Sequence, residues 1–422
     1  MYAESLQCFA CGASQPFTFK NYLCPACGGN LEVMYDVERL AKAVKLNGAV
    51  QVERNDIFRY EAFLPVSRLD LASPLRVGMT PLYERKRAAE SVGLKKIYFK
   101  DEGLNPSASF KDRAGAVALV RARETGAKVI AGASTGNAGS SMACLAASVG
   151  IPCVIFVPEK APAAKIAQLL IFGAKVLAVR GTYDDAFDLC MKVCAEKGWF
   201  NRNTGYNPFT REGKKTCSFE ICEQLGWKAP DRVVVPAGDG NIISGIWKGM
   251  LDLYAVGLIK KLPKIDCAQS AQSAAISRAI HKLRAKGGCG MEWAQVVIQP
   301  VQAATLADSI SVDIPRDGLA AVRAVIESGG EAVEVLDEEI LAAIPDLARH
   351  EGIFAEPAAA CAWAALKKMA HSRLVNPEEL VVCPITGNGL KDVANARKAA
   401  GEPYGVDNSV EAVNRVLESL AL

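Results

Sequence analysis

Six short runs rich in β-branched residues recur along the chain: KIYFKDE (96–102), KVIAGAS (128–134), CVIFVPE (153–159), KVLAVRG (175–181), RVVVPAG (232–238) and LVVCPITG (380–387). Most end in glycine, serine or threonine, and helix-like sequence follows them, as in AAKIAQLLIFGA at 163–174. Continuous apolar strands alternating with helices predict an α/β fold whose parallel sheets are covered on both faces. Ligands of such sheets collect beyond the carboxyl ends of the strands, so chemistry is expected in the loops that follow them. At 422 residues the chain exceeds what one core usually holds, and more than one structural unit is expected.

Three of these loops have unusual composition. PAGDGNIISGIWKGM (236–250) sets Gly238, Asp239, Gly240, Asn241 and Ile242 between a strand and a helix. Successive backbone N–H groups at a helix start form a cradle for phosphate, although a tight turn without a ligand reads the same way locally. The segment is neither a Walker A loop nor Gly-x-Gly-x-x-Gly. STGNAGSS (134–141) offers hydroxyls, an amide and backbone donors at a helix start, which suits a carboxylate. The alternative is a capped helix, with Ser134, Thr135 or Asn137 as the cap. PITGNGLKD (384–392) ends a strand at Thr386. A fourth stretch, NPSASFKDRAG (105–115), sets Lys111 after small hydroxyl residues and before an Asp-Arg pair. By base rate such a lysine is a solvated helical charge.

The cysteines divide into two groups. CFAC (Cys8, Cys11) and CPAC (Cys24, Cys27) are two Cys-x-x-Cys knuckles separated by 12 residues. Four thiolates complete a tetrahedral zinc shell, and with every position filled by protein the site is structural. Ordinary reduced thiols or a disulfide pair are the alternatives. Gly12, Gly28 and Gly29 follow the knuckles, where tight turns let the backbone approach sulfur. The other cysteines lie in apolar segments and read as small buried hydrophobes.

Charge narrows the partners. A net charge of +3 without a basic block gives no footprint for nucleic acid or anionic membrane. Within residues 1–32 the only basic side chain is Lys20, so the ribbon is poorly equipped for phosphate contacts. The opening MYAESLQCFACGA lacks a basic start followed by an apolar core, which makes the cytoplasm the expected location. Residues 129–158 carry no charge, yet STGNAGSS and Gly150-Ile151-Pro152 break them into strand, loop, helix, turn and strand, not a membrane span.

Taken in order, SFKDR around Lys111, STGNAGSS, PAGDGN and TGNGLKD resemble the fold type II pyridoxal-phosphate enzymes, most closely the threonine synthase family. KDEGLNPSASFKDR, GTYDDAFD, REGKKTCSFEICEQLG and DEEILAAIPDLARHEGIFAEPAAACAWAAL add to the resemblance, which runs from about Leu75 to Asp392. It implies pyridoxal 5'-phosphate as cofactor and two α/β domains with parallel or mixed sheets in three layers. A large cofactor-binding domain would comprise 33–113 and 217–422, a small mobile domain 114–216, and the zinc ribbon 1–32. Carried over position by position, Lys111 is the Schiff-base lysine and Asn137 the partner of the cofactor's phenolic oxygen. The turn of Gly238, Asp239, Gly240, Asn241 and Ile242 holds the cofactor phosphate. Ser134 and Thr135 help bind the substrate carboxylate, and Thr386 meets the pyridine nitrogen. A hydroxyl there gives a weaker electron sink than an aspartate, which suits elimination and replacement at Cβ or Cγ over transamination. Lys111 must be able to exist as a neutral amine, a state that burial and neighbouring cations favour.

The resemblance further implies conversion of O-phosphohomoserine and water to threonine and phosphate, by a homodimer. Its departures lie near the substrate. The family's usual NPYRLEGQKT here reads NPFTREGKKT, so Thr210 stands in the place of the arginine for the substrate phosphate, and Arg211, shifted by one, is the substrate-binding candidate that remains. Asp239 puts a carboxylate into the cofactor-phosphate turn, and LADSISVDIPRDG (306–318) replaces the family's usual segment. β-Replacement on O-phosphoserine, as in cysteate synthase with sulfite, and serine or threonine dehydration are the alternatives.

Overall fold

Each of the six runs forms a strand. The computed structural model describes residues 1–18, 22–48, 50–287 and 293–421, so Lys20 and Cys289 lie outside the described residues. The described residues form three sheets. At the N-terminus β1 (Ala3–Cys8), β2 (Ser14–Pro16) and β3 (Leu31–Tyr35) pair antiparallel in the order β2-β1-β3. Next in the chain come β4 (Leu82–Glu84) and β5 (Lys96–Asp101), then β6 (Ile130–Ala133), β7 (Cys153–Pro158), β8 (Lys175–Val179) and β9 (Phe200–Asn201). The last four are β10 (Arg232–Pro236), β11 (Lys264–Ser270), β12 (Ala332–Val335) and β13 (Leu380–Ile385). A six-stranded sheet runs β12-β11-β10-β13-β5-β4, parallel throughout except for β4, and a four-stranded parallel sheet runs β8-β7-β6-β9.

The central strands of both larger sheets are buried on both faces, which is why they lack a polar alternation. In β10, Val233 and Val235 enter one apolar cluster with Ile243, Ile246 and Met250, while Val234 between them enters another with Phe99 and Trp363. In β7 the same alternation sends Ile155 and Val157 to one side and Val154 and Phe156 to the other. The uncharged run 129–158 resolves into β6, the helix Asn137–Ser148 and β7. No helix among the described residues is long and apolar enough to cross a membrane.

Beneath the helix Lys111–Glu124 lies a buried ionic network. Arg113 donates from Nε and Nη2 to Glu102 at 2.6 and 2.7 Å, and from Nη1 and Nη2 to Glu220 at 2.6 and 2.7 Å. Lys100 Nζ completes it at 2.7 Å from Glu220. All four side chains are 0% exposed. Two cations face two carboxylates with no solvent between them, so the network fixes how this helix sits against the chain around Thr80 and Thr216.

Candidate active site

The loop 105–110 delivers Lys111 to the end of β13. Ser107 donates its N–H and hydroxyl to the Asp112 carboxylate at 2.7 and 2.6 Å, and Phe110 N–H reaches Thr386 O at 2.9 Å. Asn388 N–H reaches Ala108 O at 3.1 Å, with Ala108 in the left-handed region at φ 60. Lys111 is then the first residue of its helix, and its amine has no hydrogen bond or ion pair among the described residues. It faces two cavities at once, a compact one and a larger one of about 400 Å³. Burial lowers its basicity; Asp239 and Glu356 oppose that shift, and Arg202 adds to it.

The compact cavity is closed by the turn after β10. Gly238, Asp239, Gly240 and Ile242 line it, together with Asn137, Glu356 and Thr386. Gly240 has φ +93, and a Cβ there would lie 2.7 Å from Asp317 O; at Gly238 it would lie 2.8 Å from Ile310 Cα. No side chain of the preceding residue caps the helix Asn241–Ala255 that follows. Asp239 does not turn away from this cradle. Its carboxylate accepts from Asn241 N–H at 3.1 Å, and although burial would raise it, Lys214 and Lys111 hold it below the ordinary carboxylate range. Thr386 directly follows β13 and lines the same cavity.

The second helix start, at Asn137, is likewise uncapped by a side chain, and Ser134, Thr135, Gly136, Asn137 and Ala138 line the larger cavity. The capped-helix alternative therefore does not describe it. Asn137 Nδ2 donates to the Glu356 carboxylate at 3.1 and 2.9 Å, and burial raises Glu356 above the usual carboxylate range. Glu356 was not foreseen, although a lone acid before proline at the start of the alanine-rich helix Pro357–His371 is a visible anomaly.

Around 202–217 the placements differ from expectation. Arg211 does not reach either cavity. It pairs with Asp317, donates to Ser244 Oγ at 3.2 Å and Leu31 O at 3.4 Å, and stacks on Phe9 at 4.3 Å. Thr210 is buried and donates to Asn207 O at 2.7 Å. Lys214, fully buried, donates to Asn241 Oδ1 at 2.5 Å and lines neither cavity; burial and Lys111 pull it well below the ordinary lysine value. The larger cavity is instead lined by two other guanidiniums, Arg202 and Arg316, of which Arg316 is paired with Asp184 at 2.5 Å.

In the ribbon, Cys8, Cys11, Cys24 and Cys27 bring their sulfurs within 4.8 Å of one another, with three S···S separations of 3.5, 3.7 and 3.4 Å. Zinc–sulfur bonds of about 2.3 Å in a tetrahedron require S···S of about 3.8 Å, so the donor set fits that ion. Gly12 N–H and Gly28 N–H bond Cys8 O and Cys24 O at 3.0 and 2.8 Å, and a Cβ at Gly29 would sit 3.0 Å from Cys8 Sγ. Asn30 ties the ribbon to the main body, donating to Arg316 O at 2.6 Å and Asp317 Oδ1 at 3.4 Å. Asp317 in turn accepts from Asn241 Nδ2 at 2.7 Å, at the phosphate cradle. Every described cysteine outside the ribbon is buried.

Known proteins resemble this chain in sequence and in fold. A family model described as pyridoxal-phosphate dependent enzyme matches residues 74–387. A threonine synthase of Methanocaldococcus jannaschii is 39% identical over 415 residues, covering 98% of this chain and 99% of that one. A threonine synthase of Methanosarcina acetivorans is 38% identical over 413 residues, covering 98% of each. Among solved structures, the processed threonine deaminase isoform 2 of Solanum lycopersicum superposes with a TM-score of 0.66 at 21% identity, covering 82% of this chain and 92% of that one. Diaminopropionate ammonia lyase of Escherichia coli gives a TM-score of 0.63 at 17% identity, covering 94% and 98%.

Proposed function

The chain belongs to the pyridoxal-phosphate-dependent enzyme family and, within it, to the threonine synthase family, and from that membership we propose that it converts O-phosphohomoserine and water to threonine and phosphate. The observation that carries the proposal is the Lys111 amine, without a hydrogen bond or ion pair among the described residues, standing between the helix starts at Asn137 and Asn241, whose cap residues are both glycines. When bound, pyridoxal phosphate supplies an electron sink for charge at the substrate Cα. Lys111 is the residue that would hold it covalently. Gly238, Asp239, Gly240, Asn241 and Ile242 would take its phosphate, Asn137 its phenolic oxygen and Thr386 its pyridine nitrogen.

The chain's own groups then account for binding and proton traffic. Ser134, Thr135 and the helix start beside them receive the substrate carboxylate. Lys111, desolvated and not engaged elsewhere, takes the Cα proton and returns protons to the carbons that follow. Residues 114–216 act as a small mobile domain against a large one formed by 33–113 and 217–422. Lys165 with Asp308, and Asp184 with Arg316 at 2.5 Å, are ion pairs between the two. The family resemblance supports a homodimer.

The test of substrate is a spectral and phosphate-release screen with O-phosphohomoserine, O-phosphoserine with and without sulfite, serine and threonine. Phosphate and threonine from O-phosphohomoserine are expected. An unchanged cofactor spectrum with that compound, beside turnover of O-phosphoserine and sulfite, moves the assignment to the cysteate synthase type.

Two structural predictions accompany it. Gly240→Val forces a β-branched residue to φ +93 and into Asp317 O. It is expected to weaken cofactor binding about tenfold or more, since a left-handed conformation alone costs about 1–2 kcal/mol. Titration of the apo variant with cofactor, read by absorbance, checks this. In the ribbon we place structural zinc on Cys8, Cys11, Cys24 and Cys27. Chelation, or Cys24→Ser, is expected to release about one zinc per chain, lower the melting temperature and weaken cofactor retention through Asn30 and Asp317. Metal analysis with a cofactor titration on the same samples decides it; a metal-free chain that melts and binds as before contradicts the assignment.

A further inference from the structure

Arg202 follows the short strand β9, where its N–H bonds Ala131 O at 2.8 Å, one strand over from Ser134. Its side chain is only 2% exposed, yet Nε and Nη2 have no hydrogen-bond partner among the described residues. Nη1 makes a single bond, to Thr204 Oγ1 at 3.2 Å. A buried guanidinium with two idle donors is costly to maintain, and such groups are ordinarily paired. Among the described residues no carboxylate salt-bridges it, and the charges that face it are Asp239, Asp112, Lys111 and Lys214 across the site, with Tyr183 and Cys153 beside it. What the side chain does face is the large cavity.

We propose that Arg202 receives the phosphate of a phosphorylated amino-acid substrate, filling the role left open where Thr210 stands and Arg211 turns away. Nε and one terminal nitrogen form a planar edge of two parallel N–H bonds, the shape that meets two oxygens of a phosphate. Two neighbours on the same cavity wall can complete the shell. Thr204 accepts from Arg202 and so keeps its own O–H free to donate. Asn203 Nδ2 has only sulfur partners, Cys190 at 3.7 Å and Met191 at 3.8 Å, which it can exchange for an oxygen anion. The assignment rests on the proposed reading of the site and specifies which end of the substrate Arg202 holds. Arg202 does not line the compact cavity, which separates this role from that of the cofactor-phosphate turn.

The holoenzyme and its Arg202→Gln and Arg202→Lys variants test this, with inorganic phosphate as the probe in calorimetry and O-phosphohomoserine in steady-state assays. Removing one partner of a buried charge pair predicts a rise on the order of 100-fold in the phosphate dissociation constant and in KM for R202Q. R202K, which keeps charge without the fork, falls between. Cofactor content is expected to stay the same and the melting temperature to hold or rise, because no native bond of consequence is lost. The proposal is overturned if wild type binds no phosphate, if R202Q binds phosphate and substrate as wild type does, if R202Q sheds cofactor, or if it melts markedly lower. Phosphate binding lost in R202Q, in an enzyme that releases none from O-phosphohomoserine, upholds the anion site and rejects the threonine synthase reading, so the two failures are distinguishable.

Discussion

Lys111→Ala is expected to fold, to melt where wild type does and to lose turnover by about 10³- to 10⁴-fold, the size of losing a positioned base that also binds covalently. The two halves of that expectation come from one observation. Because the amine has no hydrogen bond or ion pair among the described residues, no such bond is lost when it goes, and a desolvated amine is no longer held inside. Stability within about 1 kcal/mol of wild type is therefore expected, as for substitutions that remove no cap, network or packing. Phosphate release measured alongside thermal melting checks both. A variant that unfolds would make Lys111 a structural lysine, and one that keeps its rate would remove it from the chemistry.

Arg113→Met, two residues along the same helix, is expected to do the reverse and damage the fold. Its removal leaves Glu102 and Glu220 buried with only Lys100 beside them. Breaking such a network by deleting one partner costs about 3–5 kcal/mol. The loss should depend on pH. Burial by itself would lift the Glu220 carboxyl, but Arg113 and Lys100 hold it below the ordinary carboxylate range. A carboxyl depressed in the folded state contributes stability that is whole above its unfolded value of about 4.3 and is lost as pH falls below it. Without Arg113 that contribution is gone at neutral pH, so the difference between wild type and R113M should be largest near pH 7 and shrink below about pH 4. Denaturant midpoints for both proteins across that range measure it; a constant difference would place Arg113's contribution in packing.

Much of the fold was legible in the sequence because the strands that carry the site are apolar on both faces. The runs at 96–102, 128–134, 153–159, 175–181, 232–238 and 380–387 needed no tertiary information to be read as strands. β11 was missed for a physical reason: Asp266 and Gln269 interrupt it, and they are tolerated in a buried strand because Asp266 pairs with Arg232 at 2.7 Å and Gln269 bonds Ala237 O at 3.0 Å. Those partners lie far away in sequence. β4, β9 and β12 are too short to carry a pattern. At the site, the residues that announce themselves are those on loops after strands, where glycines and hydroxyls cluster. Arg202 carries no such sign, because FNRNTGY reads as a polar turn and only the fold shows that its guanidinium is enclosed and unpaired. The converse holds for Arg211. Sequence placed it one position from a binding arginine, and the buried Asp317, which needs a cation, draws it toward the ribbon instead.

The central claim is that Lys111, and not the neighbouring buried lysine, holds the cofactor. Lys214 is the instructive rival, since burial also favours its neutral form, but its amine is committed to Asn241 and touches neither cavity. Borohydride reduction of the yellow holoenzyme, followed by proteolysis and mass spectrometry, fixes the cofactor to the lysine it occupies. The label is expected on the peptide containing Lys111; a colourless protein, or label on Lys214 or any other lysine, would contradict the account.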